Sequence, residues 1–395
     1  MKKLLVMNHY PTIYPPNTGG VLRYFHLYHM LSRYYDVTLL SQKYTPEVEI
    51  VHYSNRFREY RIPTNAEQYR IDARLIQEGT GPRFSTHAAL SCALMKDPPA
   101  DFRQYYDLHY AASDLIIHDT PFLFHYDVHF GTDNKPRIYN SHNHESEFAK
   151  YVWYGDRAKE YIALVTQLEE SLVQRATYVY ATSEDDRQSM ITSFNIPRRR
   201  IKLAPNGVIP DEWERRRNDS IGRSKVTAFF IGSMHQPNIE IVSFVVSQLA
   251  KQCPEIEFII AGQCSNECGD IAVSNVKCLG EIDDSQKKKW FAEVDLAINP
   301  AFYGTGTKIK TLEFMSAGIP ILSTEVGVKG LTLKEGSHYF LASHNKFAEV
   351  LNKIAQDKSR LKTVAANGQT YINRTYSWEA IAKQLKKQFD PLVSK

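Results

Sequence analysis

The stretch of the chain that most restricts its fold is Asn299–Pro320, which reads NPAFYGTGTKIKTLEFMSAGIP. An apolar segment, Leu296–Asn299, leads into its glycine–threonine loop, and a helix-like segment follows the loop. Glycines let backbone amides approach an anion, and a helix amino terminus adds a field that favours phosphate. Gly318 and Pro320 end the helix before the next strand. The stretch predicts a strand–loop–helix unit of a parallel α/β sheet, with an anion site at the loop.

Two charged side chains of that helix favour the same chemistry. Lys310 and Glu313 are three residues apart and therefore share one helix face. A cation beside the loop can neutralise a diphosphate, and a carboxylate one turn deeper can accept two hydrogen bonds from the vicinal hydroxyls of a ribose. The alternative is a surface ion pair that contributes little to stability. Because strand, loop, cation, acid and terminating Gly-x-Pro occur together, we interpret the stretch as a nucleotide-binding site.

Outward from this stretch, short apolar segments alternate with longer helix-like ones, as in parallel sheets with crossover helices. The predicted strands are Lys3–Met7, Val37–Ser41, Leu115–His118, Arg137–Asn140, Tyr178–Thr182, Val226–Gly232, Glu257–Gly262, Val276–Leu279, Leu296–Asn299 and Ile319–Ser323. The long predicted helices are Gly20–Arg33, Glu145–Ala176, Asn238–Lys251 and Trp378–Phe389. No diagnostic pattern is found in Arg56–Pro98. Turn-rich segments at 204–208 and before 376 divide the 395 residues into two α/β domains, 1–208 with 376–395 and 209–375.

Two residue groups at predicted strand ends of the first domain are further candidates. Gly19 and Gly20 precede an amphipathic helix and either contact a substrate or only shape a tight turn. His142 follows the strand Arg137–Asn140, where an imidazole can bond a sugar hydroxyl or steady developing charge. Chemistry alone leaves His144 an equal competitor, and Glu145 suits the first turn of a helix. Open α/β sheets bind ligands at such strand ends.

Bulk composition excludes several classes of protein. The net charge is +4 (48 Lys and Arg against 44 Asp and Glu), less basic than is usual for a nucleic-acid binder, so we expect no such partner. We expect the five cysteines to be reduced thiols rather than a disulfide scaffold or a zinc site, and the protein to be cytoplasmic. No apolar run is long enough to span a membrane. The basic runs 198–200, 215–217 and 287–289 are interpreted as solvated surface, with attachment to an anionic membrane as the alternative.

The order of these motifs resembles a large family of retaining glycosyltransferases that includes sucrose synthases and bacterial lipopolysaccharide and capsule transferases, known as glycosyltransferase family 4 or group 1. Passages that match along the chain are Asn299–Pro320, Gly19-Gly20, His142–Ser146, Ala204–Val208 and Ser377–Glu379. The resemblance implies the GT-B fold, in which two Rossmann-like domains face each other across a cleft. It implies that the first domain binds the acceptor, the second binds the nucleotide sugar, and Trp378–Phe389 crosses back onto the first.

Residue roles follow from the same resemblance. Glu313 is expected to bind the ribose, and Lys310 the diphosphate. The donor loop is expected to comprise Gly304, Thr305, Gly306 and Thr307. Gly19 and Gly20 form the expected substrate loop, and His142 matches the family's histidine better than His144 does. The expected catalytic residues are therefore His142, Lys310 and Glu313.

The sequence departs from the family pattern at two places. Thr305 occupies the position of a glutamate that in many members contacts the donor sugar, which leaves sugar specificity open. The first strand of the second domain lacks the Arg and Lys that often follow it. We expect Lys310 to carry more of the phosphate charge, helped by Gly232, Ser233 and His235.

The function implied by the resemblance is transfer of a hexose-like sugar from a nucleoside diphosphate to an acceptor hydroxyl, with retention and without a metal cofactor. The acceptor is a glycan, a lipid-linked molecule or a small molecule, and contact with the inner face of the membrane remains an alternative to a purely cytoplasmic location. Two other functions stay open, a catalytically silent GT-B partner subunit and a UDP-sugar 2-epimerase. Neither the donor base nor the oligomeric state follows from the sequence.

Overall fold

The apolar segments of the first half form an eight-stranded sheet in the computed structural model, which describes residues 1–16, 19–82, 86–213, 225–269, 273–303 and 309–394. Its strands are β1 Lys3–Asn8, β2 Asp36–Lys43, β3 Glu49–Ser54, β4 Phe57–Pro63, β5 Leu115–His118, β6 Arg137–Asn140, β7 Tyr178–Ala181 and β8 Ile201–Leu203. Their order is β3-β4-β2-β1-β5-β6-β7-β8. Every neighbouring pair is parallel except the antiparallel hairpin β3–β4.

The second half forms a six-stranded parallel sheet. Its strands are β9 Val226–Ile231, β10 Ile256–Ala261, β11 Val276–Cys278, β12 Leu296–Asn299, β13 Ile321–Ser323 and β14 Phe340–Leu341, in the order β11-β10-β9-β12-β13-β14. Side chains alternate across β9, so Phe230 packs into one apolar cluster and Phe229 into a second one on the other face. Both faces of the sheet are therefore covered, which explains why its strands read as continuous apolar runs.

Helices connect these strands. In the first half they are α1 Gly19–Leu31, α2 Ala66–Glu78, α3 Ala88–Ala93, α4 Ala100–Ala112, α5 Phe124–Phe130, α6 Glu145–Val152, α7 Ala158–Arg175 and α8 Glu184–Phe194. In the second they are α9 Gln236–Phe244, α10 Ala250–Gln252, α11 Asp284–Glu293, α12 Ile309–Ser316, α13 Phe347–Ala355, α14 Lys358–Thr375 and α15 Trp378–Val393, with a π-helical turn, Val245–Leu249, between α9 and α10. Within the described residues, no helix is both long and apolar enough to cross a membrane.

The chain divides into two compact units, Met1–Pro205 with Ile381–Lys395, and Asn206–Ala380. The last helix, α15, starts after Ser377, whose hydroxyl accepts a hydrogen bond from the amide of Ala380 at 3.2 Å. Further along α15, Asp390 accepts from the hydroxyl of Tyr35 at 2.7 Å, and Gln388 accepts from that of Tyr180 at 2.7 Å. The end of the chain thus completes the core of the first unit.

Several elements differ from the sequence-based prediction, among them those of two stretches in the first unit. The single helix predicted over Glu145–Ala176 is two helices, α6 and α7, because Gly155 has a positive φ of 95°. A Cβ on Gly155 would lie 2.9 Å from the carbonyl oxygen of Gly79, so the break also allows a close backbone approach. The stretch Arg56–Pro98, in which no pattern was found, contains β4, α2 and α3.

The prediction of reduced thiols is wrong for two of the five cysteines. Cys268 and Cys278 form a disulfide, which ties the 3-10 turn Gln263–Cys268 to the end of β11. Cys92, Cys253 and Cys264 are free and buried. The spacing of the cysteines did not reveal this pair, because the disulfide depends on the turn Gln263–Cys268 and β11 lying next to each other in the folded protein.

Candidate functional site

One candidate region lies in the second unit, where β9 ends and leads into α9. Gly232 has no room for a side chain, since a Cβ there would lie 2.7 Å from Cγ of Asn238. Its carbonyl oxygen would in turn lie 2.2 Å from a Cβ on Gly262. The two strand ends therefore approach each other as only glycines permit. Ser233 and His235 follow with exposed side chains, and His235 occupies the N-cap position of α9 without capping it through its side chain.

Lys310 is tied to this strand end. Its Nζ donates a hydrogen bond to Oδ1 of Asn238 at 2.8 Å and lies 4.3 Å from the ring centre of Phe230. Asn238 in turn donates to the carbonyl oxygen of Ser233 at 3.0 Å. The structure thus brings together three residues predicted for donor binding, Lys310, Ser233 and Gly232, and adds Asn238, which the sequence analysis did not single out.

Glu313 lies one turn further along α12 and has a cationic partner of its own. Nζ of Lys287 donates to Oε2 of Glu313 at 2.8 Å, and their side chains are only 15% and 13% exposed. Burial raises the pKa of Glu313 above its ordinary value, while the ammonium of Lys287 acts in the opposite direction. The same ammonium lies 4.5 Å from the ring centre of Trp213.

This ion pair corrects the interpretation of the basic run 287–289 as solvated surface. Lys288 and Lys289 are exposed, as expected, but Lys287 points to the acid predicted to bind a ribose. A second cation therefore lies in this region besides Lys310, although no Arg or Lys follows β9. The four loop residues Gly304, Thr305, Gly306 and Thr307 lie outside the described residues.

A separate candidate region lies in the first unit, around His142. One ring nitrogen, Nε2, is 3.2 Å from Oδ2 of Asp119, and the other, Nδ1, is 3.2 Å from the hydroxyl of Tyr10. A Cβ on Gly20 would lie 3.1 Å from that hydroxyl and 3.7 Å from Nδ1. Two predicted residues, His142 and Gly20, are therefore neighbours, while the side-chain surroundings of Gly19 lie outside the described part of the chain.

Asp119 is fully buried and is held by further hydrogen bonds. Its Oδ1 accepts from the hydroxyl of Tyr28 and, at 2.8 Å, from Nδ2 of Asn140. Asn140 accepts in turn from Arg23 at 2.6 Å. Asp119 and Tyr10 both lie just beyond the ends of strands, β5 and β1, and this position was the signal that could have identified them.

The loop that carries Tyr10 is anchored to the edge hairpin. Glu59 of β4 is fully buried and accepts hydrogen bonds from the amide of Thr12 at 2.9 Å and from its hydroxyl at 2.7 Å. Ser41, Tyr53 and Arg61 donate to the same carboxylate at 2.8, 2.9 and 2.9 Å. One carboxylate therefore joins the loop after β1 to three strands, β2, β3 and β4.

His144, the competitor of His142, is buried and has a structural position. Its Nδ1 lies 2.8 Å from the hydroxyl of Ser189. The next residue, Glu145, opens α6, and the carboxylate of Glu169 accepts its amide at 2.9 Å and that of Ser146 at 2.8 Å. Burial, with a smaller contribution from Glu169, raises the pKa of Glu145 to about 8. Over the residues that the structure describes, no group of three or more His, Cys, Asp or Glu side chains could hold a metal ion.

Two family models match the chain, one in each half. "Glycosyltransferase Family 4" matches residues 18–212, and "Glycosyl transferases group 1" matches residues 225–357. The first range contains Gly20, Asp119 and His142, and the second contains Lys287, Lys310 and Glu313.

Similar proteins include curated sequences and solved structures. A 44.6 kDa protein of the cps region of Klebsiella pneumoniae is 23% identical over 184 residues, 43% of this chain and 47% of that protein. The phosphatidyl-myo-inositol mannosyltransferase of Mycobacterium tuberculosis is 21% identical over 204 residues, 48% of this chain and 53% of that protein. These alignments thus span about half the length of each relative.

Among solved structures, sucrose-phosphate synthase from Thermosynechococcus elongatus has a TM-score of 0.71 at 15% identity and covers 100% of both chains. Anabaena Alr3699/HepE in complex with UDP-glucose has a TM-score of 0.64 at 14% identity and covers 99% of this chain and 100% of its own. Such likeness shows the fold. The two family models and this shared architecture confirm the predicted resemblance, and the chain belongs to the group 1, family 4 glycosyltransferases with the GT-B fold.

Proposed function

We propose that this protein transfers a hexose-like sugar from a nucleoside diphosphate to an acceptor hydroxyl, with retention of the anomeric configuration. The observation that carries the proposal is the placement of Lys310 and Glu313 on α12, with Lys310 bonded through Asn238 to the end of β9 and Glu313 paired with Lys287. Two cations and one acid at the carboxyl edge of a parallel sheet fit a diphosphate joined to a ribose.

Each of these side chains has a separate task in the proposed reaction. The ammonium of Lys310 and the loop before α12 stabilise the charge that grows on the departing diphosphate, which lowers the barrier only if they bind the transition state more tightly than the bound donor. Glu313 accepts hydrogen bonds from the ribose hydroxyls through Oε1, since Oε2 is occupied by Lys287. His142, in the first unit, supports the reaction through its hydrogen bonds with Tyr10 and Asp119. No metal ion is part of the proposal.

The relatives' names support the donor and acceptor classes that we propose. One similar structure holds UDP-glucose, and one relative is named as a mannosyltransferase acting on a phosphatidyl-inositol. We therefore propose a hexosyl nucleotide as donor and a glycan, lipid-linked or small-molecule acceptor, in polysaccharide or glycoconjugate synthesis. We also propose that the protein is cytoplasmic, with peripheral contact at the inner membrane face when the acceptor is a lipid.

Calorimetric titration tests the donor site. UDP, GDP and ADP are titrated into the protein, into Glu313→Gln, and into Glu349→Gln, which alters an exposed acid on α13. We expect one diphosphate to bind, the Glu313 variant to lose at least about tenfold in affinity, and the Glu349 variant to bind normally. The unaltered protein is expected to bind the 2′-deoxy form of the same nucleotide more weakly than the ribose form. Glu313→Gln is expected to bind the two forms with equal affinity.

The remaining outcomes separate the alternatives. Failure of all three diphosphates to bind would remove the donor-site assignment and favour a silent partner subunit. Turnover of a nucleotide sugar to an isomer without an acceptor would favour an epimerase. Proton NMR of the transferred sugar, taken before it mutarotates or on a stable glycoside, decides retention.

A further inference from the structure

Both ring nitrogens of His142 are already engaged by the protein. Nδ1 lies 3.2 Å from the hydroxyl of Tyr10, and Nε2 lies 3.2 Å from the carboxylate of Asp119. Burial, together with the nearby Asp119 carboxylate, raises the pKa of Tyr10 above its ordinary value, so the phenol keeps its proton. The carboxylate of Asp119 can only accept, so the Nε2 that faces it carries a proton, and Nδ1 is left to accept from the hydroxyl of Tyr10. The imidazole proton then resides on Nε2, from which it is donated to Asp119.

Both ring nitrogens of His142 are engaged, so the hydroxyl of Tyr10 is the end of this hydrogen-bonded series that keeps a capacity to bond a substrate. Asp119 is fully buried, whereas Tyr10 and His142 are both half-buried residues. A phenolic oxygen that donates its hydrogen can still accept one through its lone pairs. The absence of a side chain at Gly20 keeps the space next to this oxygen open, because a Cβ there would lie 3.1 Å from it.

We propose that Tyr10 is the catalytic residue that contacts the acceptor hydroxyl, and that His142 and Asp119 are positioning residues that act through it. The proposal rests on the proposed function. In the transfer, the bond from the anomeric carbon to the diphosphate breaks and its electron pair leaves with the diphosphate, while the acceptor oxygen bonds to the anomeric carbon. The acceptor proton passes to the oxygen of Tyr10, the phenolic proton passes to Nδ1 of His142, and Asp119 stabilises the resulting imidazolium until water takes the proton.

Hydrolysis of the donor, with water as acceptor, tests the proposed roles of Tyr10, His142 and Asp119 without a known acceptor. The probe is UDP-glucose, GDP-mannose or ADP-glucose, chosen by the diphosphate that binds. Tyr10→Phe is expected to lower kcat roughly 100-fold with little change in KM or in diphosphate affinity. Tyr24→Phe is the matched control, because it removes the phenolic hydroxyl of a buried tyrosine on α1 that has no hydrogen-bond partner among the described residues. His142→Gln and the double variant with Tyr10→Phe are expected to lose no more than Tyr10→Phe alone, since the residues act as one unit.

The ring proton of His142 gives a second readout that needs no turnover. The chain has 14 histidines, so loss of one signal in His142→Gln identifies its ¹⁵N resonances. We expect the proton on Nε2 in the unaltered protein and in Tyr10→Phe. In Asp119→Asn we expect it on Nδ1, because an amide nitrogen facing Nε2 would require that nitrogen to accept. Thermal unfolding of each variant shows whether it is folded.

These measurements separate failure of the inference from failure of the proposed function. Tyr10→Phe turning over like Tyr24→Phe, or His142→Gln losing far more than Tyr10→Phe, would overturn the role of Tyr10 while leaving a donor-binding transferase. A proton on Nδ1 of His142 in the unaltered protein would overturn the assigned direction of the hydrogen bonds from Tyr10 to His142 and from His142 to Asp119. Absence of diphosphate binding and of hydrolysis in the unaltered protein would overturn the proposed function and the role of Tyr10 together.

Discussion

Replacing Lys287 by methionine isolates the buried ion pair with Glu313. Removing one partner of a fully buried pair costs about 3–5 kcal/mol, because the other charge loses its compensation. These side chains keep 15% and 13% exposure, and Glu313 can take up a proton, so we expect about 2 kcal/mol near neutral pH. In a domain of this size, about 2 kcal/mol corresponds to a fall in Tm of roughly 4–8 °C.

The stability lost in Lys287→Met should increase as the pH rises. Burial already holds the pKa of Glu313 above its ordinary value, and removing Lys287 raises that pKa further. A carboxyl with a raised folded-state pKa contributes stability that is fully present below its unfolded pKa and is lost as the pH rises through the folded value. The deficit of Lys287→Met is therefore expected to be small near pH 4.5 and largest above neutrality.

Thermal unfolding followed by circular dichroism at several pH values measures this deficit. Lys289→Met, which changes an exposed lysine of the same helix, is the control and should unfold like the unaltered protein. Combining Lys287→Met with Glu313→Gln should restore most of the lost stability, since no unpaired charge remains. A deficit that is equal at all pH values, or that Lys289→Met reproduces, would refute the reasoning.

Three further predictions concern other parts of the chain. Gly20→Ala should leave Tm unchanged or slightly raised, because alanine favours a helix over glycine by about 1 kcal/mol. Donor hydrolysis should fall, because the new Cβ would lie 3.1 Å from the hydroxyl of Tyr10. A variant with normal turnover would contradict this prediction. Since the pKa of Glu145 is raised to about 8, the protein should lose stability relative to Glu145→Gln as the pH rises from about 4.5 through 8, and parallel Tm-against-pH curves would count against it. Alkylation of the denatured, unreduced protein should modify three cysteines by mass and leave Cys268 and Cys278 unmodified, whereas five modified thiols would exclude the disulfide.

The sequence predicted the sheets well where strands are buried on both faces. Leu115–His118, Arg137–Asn140 and Leu296–Asn299 have the bounds expected from their apolar runs, because a strand covered by helices on both sides must be apolar throughout. The hairpin β3–β4 was missed for the opposite reason. It lies at the edge of its sheet, where charged and polar residues interrupt the apolar run.

The candidate site shows a similar limit. Lys310 and Glu313 could be found because loop, helix and spacing are local in sequence. Their partners could not, since Asn238 is 72 residues from Lys310 and Lys287 is 26 residues from Glu313. Asp119 lies 23 residues before His142, and only its position beyond a strand end connects the two. Contacts across a sheet edge are set by tertiary packing, and the amino-acid pattern of a single chain does not record them.

The five hydrogen bonds accepted by Glu59 have a consequence for recombining this protein with its relatives. An exchange that replaces the segment after β1 but keeps the native hairpin would leave a buried carboxylate without the hydroxyl of Thr12. Residues 9–16 and the hairpin 49–63 should therefore be exchanged together in a chimaera, although α1 and β2 separate them in the chain. Crossover points that move both segments together preserve these hydrogen bonds. Among the described residues, 66–82 and 86–98 donate none of them.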